Sequence, residues 1–368
     1  MIKYFISAIL LLGTLACSST KNSADISPDT PTNIIFLIGD GMGLSAVSSS
    51  FYFNDGPSEF KKFKHIGLSK TSSATHKVTD SGASGTAMAA GQKTYNGAIG
   101  VDTLKLPIPN ITELISPLGW STGLVATSTI THATPASYYG HVESRSQEDS
   151  LALQLINSEI DFFAGGGIDN FNKREDGADL FSMAEKKGIT IDTTALAAPG
   201  TLIAGQKYGF LLSSGGMPSM TNGRGDFLPE ATKLAIEVLS HNEQGFFLMV
   251  EGSQIDWEEH GNRAEGTVAE VLDFEDAIAA ALEFAERDGN TLVVVTADHE
   301  TGGFSLSAKK NEETGSRDYK EIGPDFATNS HSATLVPVFA YGPGAENFTG
   351  FFENTELFHK MVALAGLK

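Results

Sequence analysis

Runs of apolar residues alternate along the chain with polar segments that are punctuated by glycine. The run at 33–38 (Asn-Ile-Ile-Phe-Leu-Ile) is apolar after its first residue, and the runs at 246–250 and 291–296 are nearly as hydrophobic. Consecutive apolar positions over the length of a strand are typical of a sheet buried on both faces, as parallel sheets are. Because loops and helical segments separate these runs, the pattern predicts an α/β fold around a mostly parallel sheet.

Less regular runs complete the set of predicted elements. Further strands are expected at 121–126, 161–164, 209–212 and 337–341, and helices at 110–118, 178–187, 229–239, 268–286 and 355–364. The helix at 229–239 begins with Pro229, which the first turn of a helix accommodates. Residues 309–330 are polar and charged and contain Gly315 and Pro324, so they predict a surface insertion.

The stretch 78–91 (Val-Thr-Asp-Ser-Gly-Ala-Ser-Gly-Thr-Ala-Met-Ala-Ala-Gly) predicts a helix with Ser81 in its first turn. Asp80 is suited to cap the N-terminus, and Gly91 is placed to end the helix. Backbone N–H groups and the positive end of the helix dipole would face a ligand at Ser81, which suits a serine that attacks a phosphoryl group. The alternative is a cap without chemistry, and the neighbours of Ser81 must decide between the two.

Acidic and histidine side chains fall at the ends of the predicted strands. Four of them each follow an apolar run: Asp40, Glu251, Asp298 and His299. A parallel sheet places the carboxyl ends of its strands along one edge, where α/β proteins bind their ligands. Asp40 taken alone is equally well explained as a polar residue in a tight turn, because it lies in the sequence Gly-Asp-Gly-Met-Gly.

Asp256 and His260 follow the strand at 246–250 with a spacing of four residues. On a helix this spacing puts both side chains on one face. Carboxylates gathered without a cation would repel one another and would be costly to remove from water. A divalent metal removes this conflict, since imidazole with carboxylate suits Zn²⁺ and a set of oxygen ligands suits Mg²⁺.

The composition describes a soluble body with a strong negative charge. The 368 residues carry a formal net charge of −20, and 41% of them are hydrophobic. This charge argues against nucleic acid or an anionic lipid surface as a direct partner of the body. It would also repel a phosphate ester, unless local positive charge reverses the field at the site.

The first 17 residues predict an export signal. Lys3 precedes the apolar segment 6–12, and Cys17 follows Ala16. Cys17 is the only cysteine, so the protein forms no internal disulfide. Its position suits a lipid anchor on a periplasmic or outer-membrane lipoprotein, and plain secretion after Ala16 is the alternative. Residues 18–32 predict a solvated linker between this segment and the body at 33–368.

The body resembles an alkaline phosphatase over most of residues 32–368. Six motifs in the same order carry the resemblance: Asp40-Gly41, residues 78–97, Ala133-Thr134-Pro135-Ala136, residues 251–260, Thr296-Ala297-Asp298-His299, and His331. The resemblance implies a three-layer α/β sandwich with helices on both faces of the sheet. It also implies hydrolysis of phosphate monoesters to an alcohol and inorganic phosphate, through a phosphoserine intermediate on Ser81, in phosphate scavenging outside the cytoplasm.

The resemblance further implies two zinc ions and one magnesium ion. One zinc would be held by Asp256, His260 and His331, the second zinc by Asp40, Asp298 and His299, and the magnesium by Asp40, Thr134, Glu251 and water. Arg145 matches the arginine that holds phosphate oxygens. Asp80, His132 and Trp257 belong to the surroundings of the ligands or of the substrate. A homodimer is the assembly that the resemblance implies.

His132 and Trp257 differ from the residues of the best-known bacterial form, which has aspartate and lysine there. Both replacements resemble other branches of the family, and they leave the metal preference of the third site open. A sulfatase would need a C/S-x-P-x-R motif, which the sequence at Ser81 lacks. A phosphodiesterase would not be expected to combine a magnesium set with Arg145. A metal- or phosphate-binding lipoprotein without catalysis is a further alternative, although such a protein has no need of a nucleophile at Ser81.

Overall fold

The computed structural model describes residues 31–367, so the predicted signal segment 1–17 and nearly all of the linker lie outside the described residues. The strands are β1 (Asn33–Gly39), β2 (His65–Lys70), β3 (Ser121–Thr129), β4 (Phe162–Gly166), β5 (Ile189–Asp192), β6 (Lys207–Leu211), β7 (Phe246–Gly252), β8 (Thr291–Thr296), β9 (Glu300–Thr301), β10 (Ser305–Lys310), β11 (Arg317–Asp325), β12 (His331–Ser332), β13 (Val336–Tyr341) and β14 (Gly350–Glu353).

Helices connect most of these strands. They are α1 (Leu44–Phe53), α2 (Ser81–Ala90), α3 (Ile111–Ile115), α4 (Ala133–Ala136), α5 (Glu148–Asn157), α6 (Asp169–Asn172), α7 (Leu180–Lys186), α8 (Phe227–Leu239), α9 (Gln254–His260), α10 (Ala264–Asp288) and α11 (Thr355–Leu364). Between residues 31 and 367, no helix has both the length and the apolar composition required to cross a lipid bilayer.

Ten strands form one central sheet in the order β14-β2-β13-β8-β1-β7-β3-β4-β6-β5. Strand β1 lies in its middle and pairs in parallel with β7 on one side and β8 on the other. Only β13 runs antiparallel to its neighbours, β2 and β8, within this sheet of the described chain. The predicted α/β fold with a mostly parallel sheet is therefore confirmed.

The alternation along β1 shows why the sheet is covered on both faces. Ile34, Phe36 and Ile38 belong to one hydrophobic core, which also contains apolar side chains of α2, α3, α5 and α11. Ile35 and Leu37 point the other way, into a second core shared with α8 and α10. Since successive side chains of a strand alternate between faces, an unbroken apolar run supplies both cores at once. The three-layer arrangement follows.

The predicted elements and the observed ones differ mainly at the margins of the sheet. The strand at 291–296 and the helix at 355–364 have the predicted bounds. The sequence pattern did not predict β2, β5 or β14, nor the helices α1 and α5. Strand β2 is only partly buried, so it lacks the continuous apolar run by which the central strands are recognised.

The predicted surface insertion is an exposed β-hairpin. It is formed by β10 and β11, which pair antiparallel and begin four residues earlier than predicted, at Ser305. At its base, β9 pairs antiparallel with β12, with Thr301 opposite His331. The two ends of the excursion are thereby joined beside the residues described next.

A cluster of buried charges ties the loop before α8 to the long helix α10. Arg224 donates hydrogen bonds to Glu270 and, at 2.6 Å, to Asp273, and it also contacts the carbonyl of Pro218. The side chains of all three charged residues are almost fully buried. This cluster lies in the region 161–227 and its partner helix, where the sequence showed no candidate chemistry.

Candidate active site

The three central strands deliver acidic residues to one edge of the sheet. Asp40 follows β1, Glu251 is the penultimate residue of β7, and Asp298 lies two residues beyond β8. The parallel register places Ile38 opposite both Glu251 and Thr296, so the three strands end at the same level. All three carboxylates are fully buried. The structure thus gathers the strand-end residues as their positions predicted.

Helix α2 brings Ser81 to this edge. The side chain of Asp80 accepts a hydrogen bond from the backbone N–H of Ala83 at 3.0 Å, and Gly91 ends the helix in the left-handed conformation, with φ of 68°. Such a cap and such a glycine satisfy the free backbone groups at the two ends of a helix. Ser81 is 2% exposed, and its Oγ lies 3.3 Å from Nε2 of His299. The predicted helix is confirmed, with the serine at its N-terminus.

A glycine in α2 permits close packing against the helix α4. A Cβ atom at Gly85 would lie 2.7 Å from Oγ of Ser137, just after α4, and 3.5 Å from Cα of Thr134. A side chain at this position would therefore push the two helices apart. Since one helix carries Ser81 and the other carries Thr134, the small residue fixes the distance between two predicted site residues.

Asp40, Asp298 and His299 form one group of converging ligand atoms. Nε2 of His299 lies 3.1 Å from Oδ2 of Asp298 and 3.5 Å from Oδ1 of Asp40. The ligand atoms of these three residues all lie within 4.8 Å of one another. The Oγ of Ser81 adjoins the same imidazole nitrogen, so the hydroxyl faces this group.

Asp256, His260 and His331 form a second group. Helix α9 carries the first two residues, which confirms the predicted four-residue spacing on one helical face. Nε2 of His260 lies 3.1 Å from Nε2 of His331 and 3.3 Å from Oδ1 of Asp256, and Nε2 of His331 lies 3.5 Å from the same oxygen.

The other ring nitrogens of these two histidines contact backbone carbonyls. Nδ1 of His260 lies 2.8 Å from the oxygen of Asn329, and Nδ1 of His331 lies 2.9 Å from the oxygen of Thr79. A carbonyl only accepts hydrogen bonds, so it fixes the proton on Nδ1 and leaves the lone pair on Nε2. Both lone pairs therefore point into the group, which is the arrangement that a metal requires.

A third group lies around Asp40, Glu251 and His132, whose ligand atoms also come within 4.8 Å of one another. Thr134 is buried beside it. One oxygen of Glu251 accepts hydrogen bonds from Ser253 at 2.5 Å and from Ser128 at 3.2 Å. Burial raises the pKa of Glu251 to about 7 in spite of these two donors. The second oxygen of Glu251 remains available for a cation.

The polar atoms without partners test whether these groups suit metal ions. Of the buried side-chain atoms that have no hydrogen-bond partner among residues 31–367, six belong to these groups: both oxygens of Asp40, Oε1 of Glu251, Oδ2 of Asp298, Oγ1 of Thr134 and Nδ1 of His132. Burial and the neighbouring carboxylates, Asp298 first, raise the pKa of Asp40 well above its usual range. Buried polar groups are normally paired, so a set of unpaired oxygens at one place fits divalent cations.

In the second group, the pKa of the carboxylate is shifted in the opposite direction to the pKa of Asp40. Burial alone would raise the pKa of Asp256, but His331 and His299 outweigh it and hold this pKa below its usual range. In return, Asp256 raises the pKa of His331 against the effect of burial. The residues therefore fit a cation in this group, where a carboxylate stays ionised between imidazoles.

Arg145 contacts two of the residues that were predicted to surround the ligands or the substrate. Its guanidinium donates to Oδ2 of Asp80 at 3.1 Å and contacts Nε2 of His132 at 3.1 Å. Burial would raise the pKa of Asp80, yet hydrogen bonds from the N–H groups of Ala83 and Gly97, together with Arg145, lower it. Asp80 is thus an ionised anchor for the arginine as well as a helix cap.

His132 is held as a neutral side chain. Burial, followed by the positive charge of Arg145, lowers the pKa of His132 to about 4. The indole of Trp257 packs edge-on against its ring, with the ring centroids 5.8 Å apart. A neutral imidazole accepts a hydrogen bond from Arg145 through Nε2, which helps to fix the guanidinium without adding a competing charge.

Three residues of this neighbourhood were not singled out from the sequence. Thr301 is fully buried and contacts both Asp256 and His299. Ser84 donates to the backbone oxygen of Asp298 at 2.7 Å. Glu259 is buried next to His260, and both of its oxygens lack a hydrogen-bond partner within the described chain. The sequence signal for Thr301 was limited to its place two residues beyond His299, since a threonine has no metal-ligand signature of its own.

Nearly the whole chain is similar to proteins of one family. The family model described as alkaline phosphatase matches residues 31–321 and 308–367. The alkaline phosphatase of Escherichia coli (strain K12) is 33% identical, over 96% of this chain and 90% of that protein. Alkaline phosphatase 4 of Bacillus subtilis (strain 168) is 34% identical, over 88% of this chain and 86% of that protein.

Solved structures give the same result. The alkaline phosphatase from the Antarctic bacterium TAB5 superposes with a TM-score of 0.91 at 50% sequence identity, covering 92% of this chain and 99% of that one. A TAB5 variant with glutamate in place of a histidine, described with Mg bound in its M3 site, has the same TM-score, identity and coverage.

Proposed function

The chain belongs to the alkaline phosphatase family and is a phosphomonoesterase, and we propose that it works through a phosphoserine intermediate on Ser81 at a site for two zinc ions and one magnesium ion. The observation that carries this proposal is the position of Ser81. Its hydroxyl lies at a helix N-terminus, 3.3 Å from Nε2 of His299, beside the group of Asp40, Asp298 and His299. A non-catalytic phosphate binder has no need of a buried hydroxyl at this point.

We assign one zinc to Asp256, His260 and His331, and the second to Asp40, Asp298 and His299. Magnesium is assigned to Asp40, Thr134 and Glu251. The mixed imidazole and carboxylate donors of the first two groups suit Zn²⁺, and the oxygen donors of the third suit Mg²⁺. The magnesium described for the TAB5 variant supports magnesium as one of the metals. When bound, the ions would lower the pKa of the attacking hydroxyl and stabilise negative charge on the leaving oxygen.

The residues of the chain then divide the reaction between them. Ser81 Oγ loses its proton and forms a bond to phosphorus as the bond from phosphorus to the ester oxygen breaks in line, and the leaving oxygen takes up a proton, which gives the phosphoserine and the alcohol. A water molecule then forms a bond to phosphorus from the face that the alcohol has left, the bond from phosphorus to Ser81 Oγ breaks, and a proton from the water returns to Oγ as inorganic phosphate is released. Two in-line displacements preserve the configuration at phosphorus.

Arg145 and helix α2 stabilise the charge on the transferring group. Arg145 has five N–H donors, and its hydrogen bonds to Asp80 and His132 use only some of them. The remaining donors can hold two phosphate oxygens at once, a geometry that guanidinium groups favour. The free N–H groups of the first turn of α2 face the same oxygens. Both sets of donors are fixed before the substrate arrives, which is the condition for strong electrostatic catalysis.

We further propose the cellular setting that the sequence indicates. The protein is exported through the segment 1–17, is held at the membrane by a lipid on Cys17 or is released, and scavenges phosphate from small monoesters as a homodimer. The charge of −20 supports small phosphate esters over nucleic acid as substrates. Radiolabelled fatty acid incorporation into wild type and Cys17→Ser separates the lipid anchor from plain secretion.

The experiment for the mechanism uses an aryl phosphate at alkaline pH. Ser81→Ala should lose both steady-state turnover and the acid-stable phosphoenzyme that quenched wild-type enzyme accumulates on Ser81. Thr86→Val is the matched control, since it removes a buried hydroxyl of the same helix that contacts only the backbone of Ala98 and Gly100. If Ser81→Ala keeps the turnover and the phosphoenzyme of the wild type, the assigned nucleophile is wrong.

A further inference from the structure

The side chain of Thr301 lies between the two proposed zinc groups and hydrogen-bonds to both of them. No other side chain within residues 31–367 makes hydrogen bonds to both groups. It follows His299 by two residues and lies in the short strand β9, where its backbone pairs with that of His331. Its own N–H donates to the carbonyl of Gly41 at 3.0 Å, next to Asp40. The residue is fully buried. Its side chain is therefore fixed from three directions by segments that carry proposed ligands.

The hydroxyl of Thr301 makes one hydrogen bond to each group. It donates to Oδ1 of Asp256 at 2.6 Å, and its oxygen lies 3.2 Å from Nδ1 of His299. Oδ1 is the oxygen of Asp256 that faces Nε2 of both His260 and His331. The hydroxyl thus contacts the metal-facing carboxylate oxygen of one group and the rear of the imidazole that serves the other group.

The direction of these bonds follows from the chemistry of the partners. An ionised carboxylate can only accept, so the hydroxyl proton of Thr301 is committed to Asp256. The Thr301 oxygen can then only accept from His299, which places the imidazole proton on Nδ1. The lone pair of His299 is consequently on Nε2, the nitrogen that faces Asp40, Asp298 and Ser81. Partners of this kind behind a ligand orient it and fix its tautomer.

From this geometry we propose that Thr301 is a positioning residue shared by both zinc groups, so that one hydroxyl sets the affinity of the protein for both zinc ions. The inference rests on the proposed zinc assignment. Ser253 and Ser128 contact only Glu251 among the proposed ligands, and the carbonyls behind His260 and His331 each serve one group. Thr301 links the carboxylate of one group to the imidazole of the other.

The test measures zinc binding rather than catalysis. Metal-free wild type, Thr301→Val and Thr301→Ser are titrated with zinc in the presence of a competing chelator, and the two stepwise affinities are compared. Valine has the shape of threonine without the hydroxyl, whereas serine keeps the hydroxyl. We expect both affinities to fall by about 10- to 100-fold in the valine variant, the usual effect of removing a partner behind a metal ligand, and serine to restore both.

Thr232→Val is the matched control. Thr232 is a buried threonine of α8 whose hydroxyl donates only to the backbone oxygen of Leu228, so this variant loses a buried hydroxyl away from the metals. It should bind zinc as wild type does. Thr301→Ala replaces the valine variant if the latter does not accumulate as folded protein.

The outcomes separate this inference from the assignment on which it rests. Wild type that binds two zinc ions, with a valine variant that matches it at both steps, overturns the role of Thr301 alone. A loss confined to one of the two steps also overturns it, because the proposal is a shared effect. Wild type that binds no zinc overturns the zinc assignment together with it.

Discussion

The molecule buries acidic side chains in two places and balances them in two different ways. Around Arg224, two carboxylates are neutralised from within the chain by a guanidinium that is itself fully buried. At the carboxyl edge of the sheet, Asp40, Glu251 and Asp298 are equally buried, but several of their oxygens have no partner among the described residues. Burial is thus tolerated in both clusters, yet only one contains its own cation.

This difference separates a cluster that holds the fold together from one that is prepared for ligands. A buried charge requires a partner of opposite sign, since its removal from water costs several kcal/mol. The Arg224 cluster meets this requirement permanently and fixes a loop against α10. The carboxylates of the sheet-edge cluster are suited to be balanced by metal ions from solution instead. The positive charge of such ions can then attract a phosphate ester to a protein whose overall charge is −20.

The strongest test of the contrast is removal of metal. Prolonged chelation should abolish most of the turnover, by roughly 10³-fold or more, because metal ions supply several kcal/mol of transition-state stabilisation. It should also lower the unfolding free energy, by about 4 kcal/mol when free metal had been present at a thousand times its dissociation constant. Activity and urea denaturation, measured before and after zinc and magnesium are restored, check both effects. Unchanged activity after verified metal removal would contradict the proposed site.

Breaking the other cluster should affect stability instead. Arg224→Met leaves Glu270 and Asp273 buried without a cation, and we expect a loss of about 3–5 kcal/mol of unfolding free energy, with kcat/KM retained wherever the variant is folded. Urea denaturation of the metal-loaded protein measures the loss. The control is Lys233→Met, which removes an exposed pair with Glu230 and should cost less than about 1 kcal/mol.

Arg145 sharpens the comparison because, unlike Arg224, it is partly exposed and keeps N–H donors free for a substrate. Its side chain is 29% exposed, against a fully buried Arg224, and its contacts with Asp80 and His132 leave donors for a substrate. Arg145→Ala should lower kcat by about 10²–10³-fold, the usual effect of removing a donor to developing charge, with little change in stability. Arg145→Lys keeps the positive charge but not the planar set of guanidinium donors, so its kcat should lie between those of wild type and Arg145→Ala. An equal loss of stability in both arginine variants would contradict the distinction.

The smallest expected effect is a pH dependence of stability. Burial raises the pKa of Asp273 to about 6, although Arg224 opposes the rise. The folded protein therefore holds this proton more tightly than the unfolded chain, whose aspartates have a pKa of about 3.9. Stability from this group is present at low pH and decreases as pH rises from about 4 to about 6.

Asp273→Asn should remove this contribution. Urea midpoints of metal-loaded wild type and variant, compared at pH 4.5 and pH 6.5 (values chosen to span the window of about 4 to 6), should show the wild type losing more stability than the variant. Both proteins share the same metal site, so effects of metal release cancel in the difference. Parallel curves for the two proteins would show that Asp273 does not titrate in this window.

The sequence predicted the sheet-edge cluster far better than the Arg224 cluster, for a physical reason. Asp40, Glu251 and Asp298 each follow a continuous apolar run, and a parallel sheet necessarily aligns the ends of such runs. Arg224 comes from an irregular loop, and its partners lie one turn apart within a long amphipathic helix. Nothing in local periodicity brings that loop to that helix, so the contact depends on tertiary packing alone.

Within the site, the predicted residues are those whose position follows from an element. Ser81 and Asp256 lie on helices α2 and α9 and fall where the helical spacing puts them. The contact between Arg145 and His132 was not predicted, because it joins a loop to the residue before α4. Thr301 was missed although His299 was found, since a threonine carries no metal-ligand signature and acts only through its neighbours.

The paired strands β9 and β12 have a consequence for how such a protein can change over generations. Because Glu300 and Thr301 pair with Ser332 and His331, the ends of the β10–β11 hairpin are closed by backbone hydrogen bonds. The entropy of closing a loop grows only slowly with its length. Residues can therefore be gained or lost at the tip of this excursion while His299 and His331, beside its base, keep their separation. The excursion is a place where descendants can acquire new surface without rebuilding the chemistry beneath it.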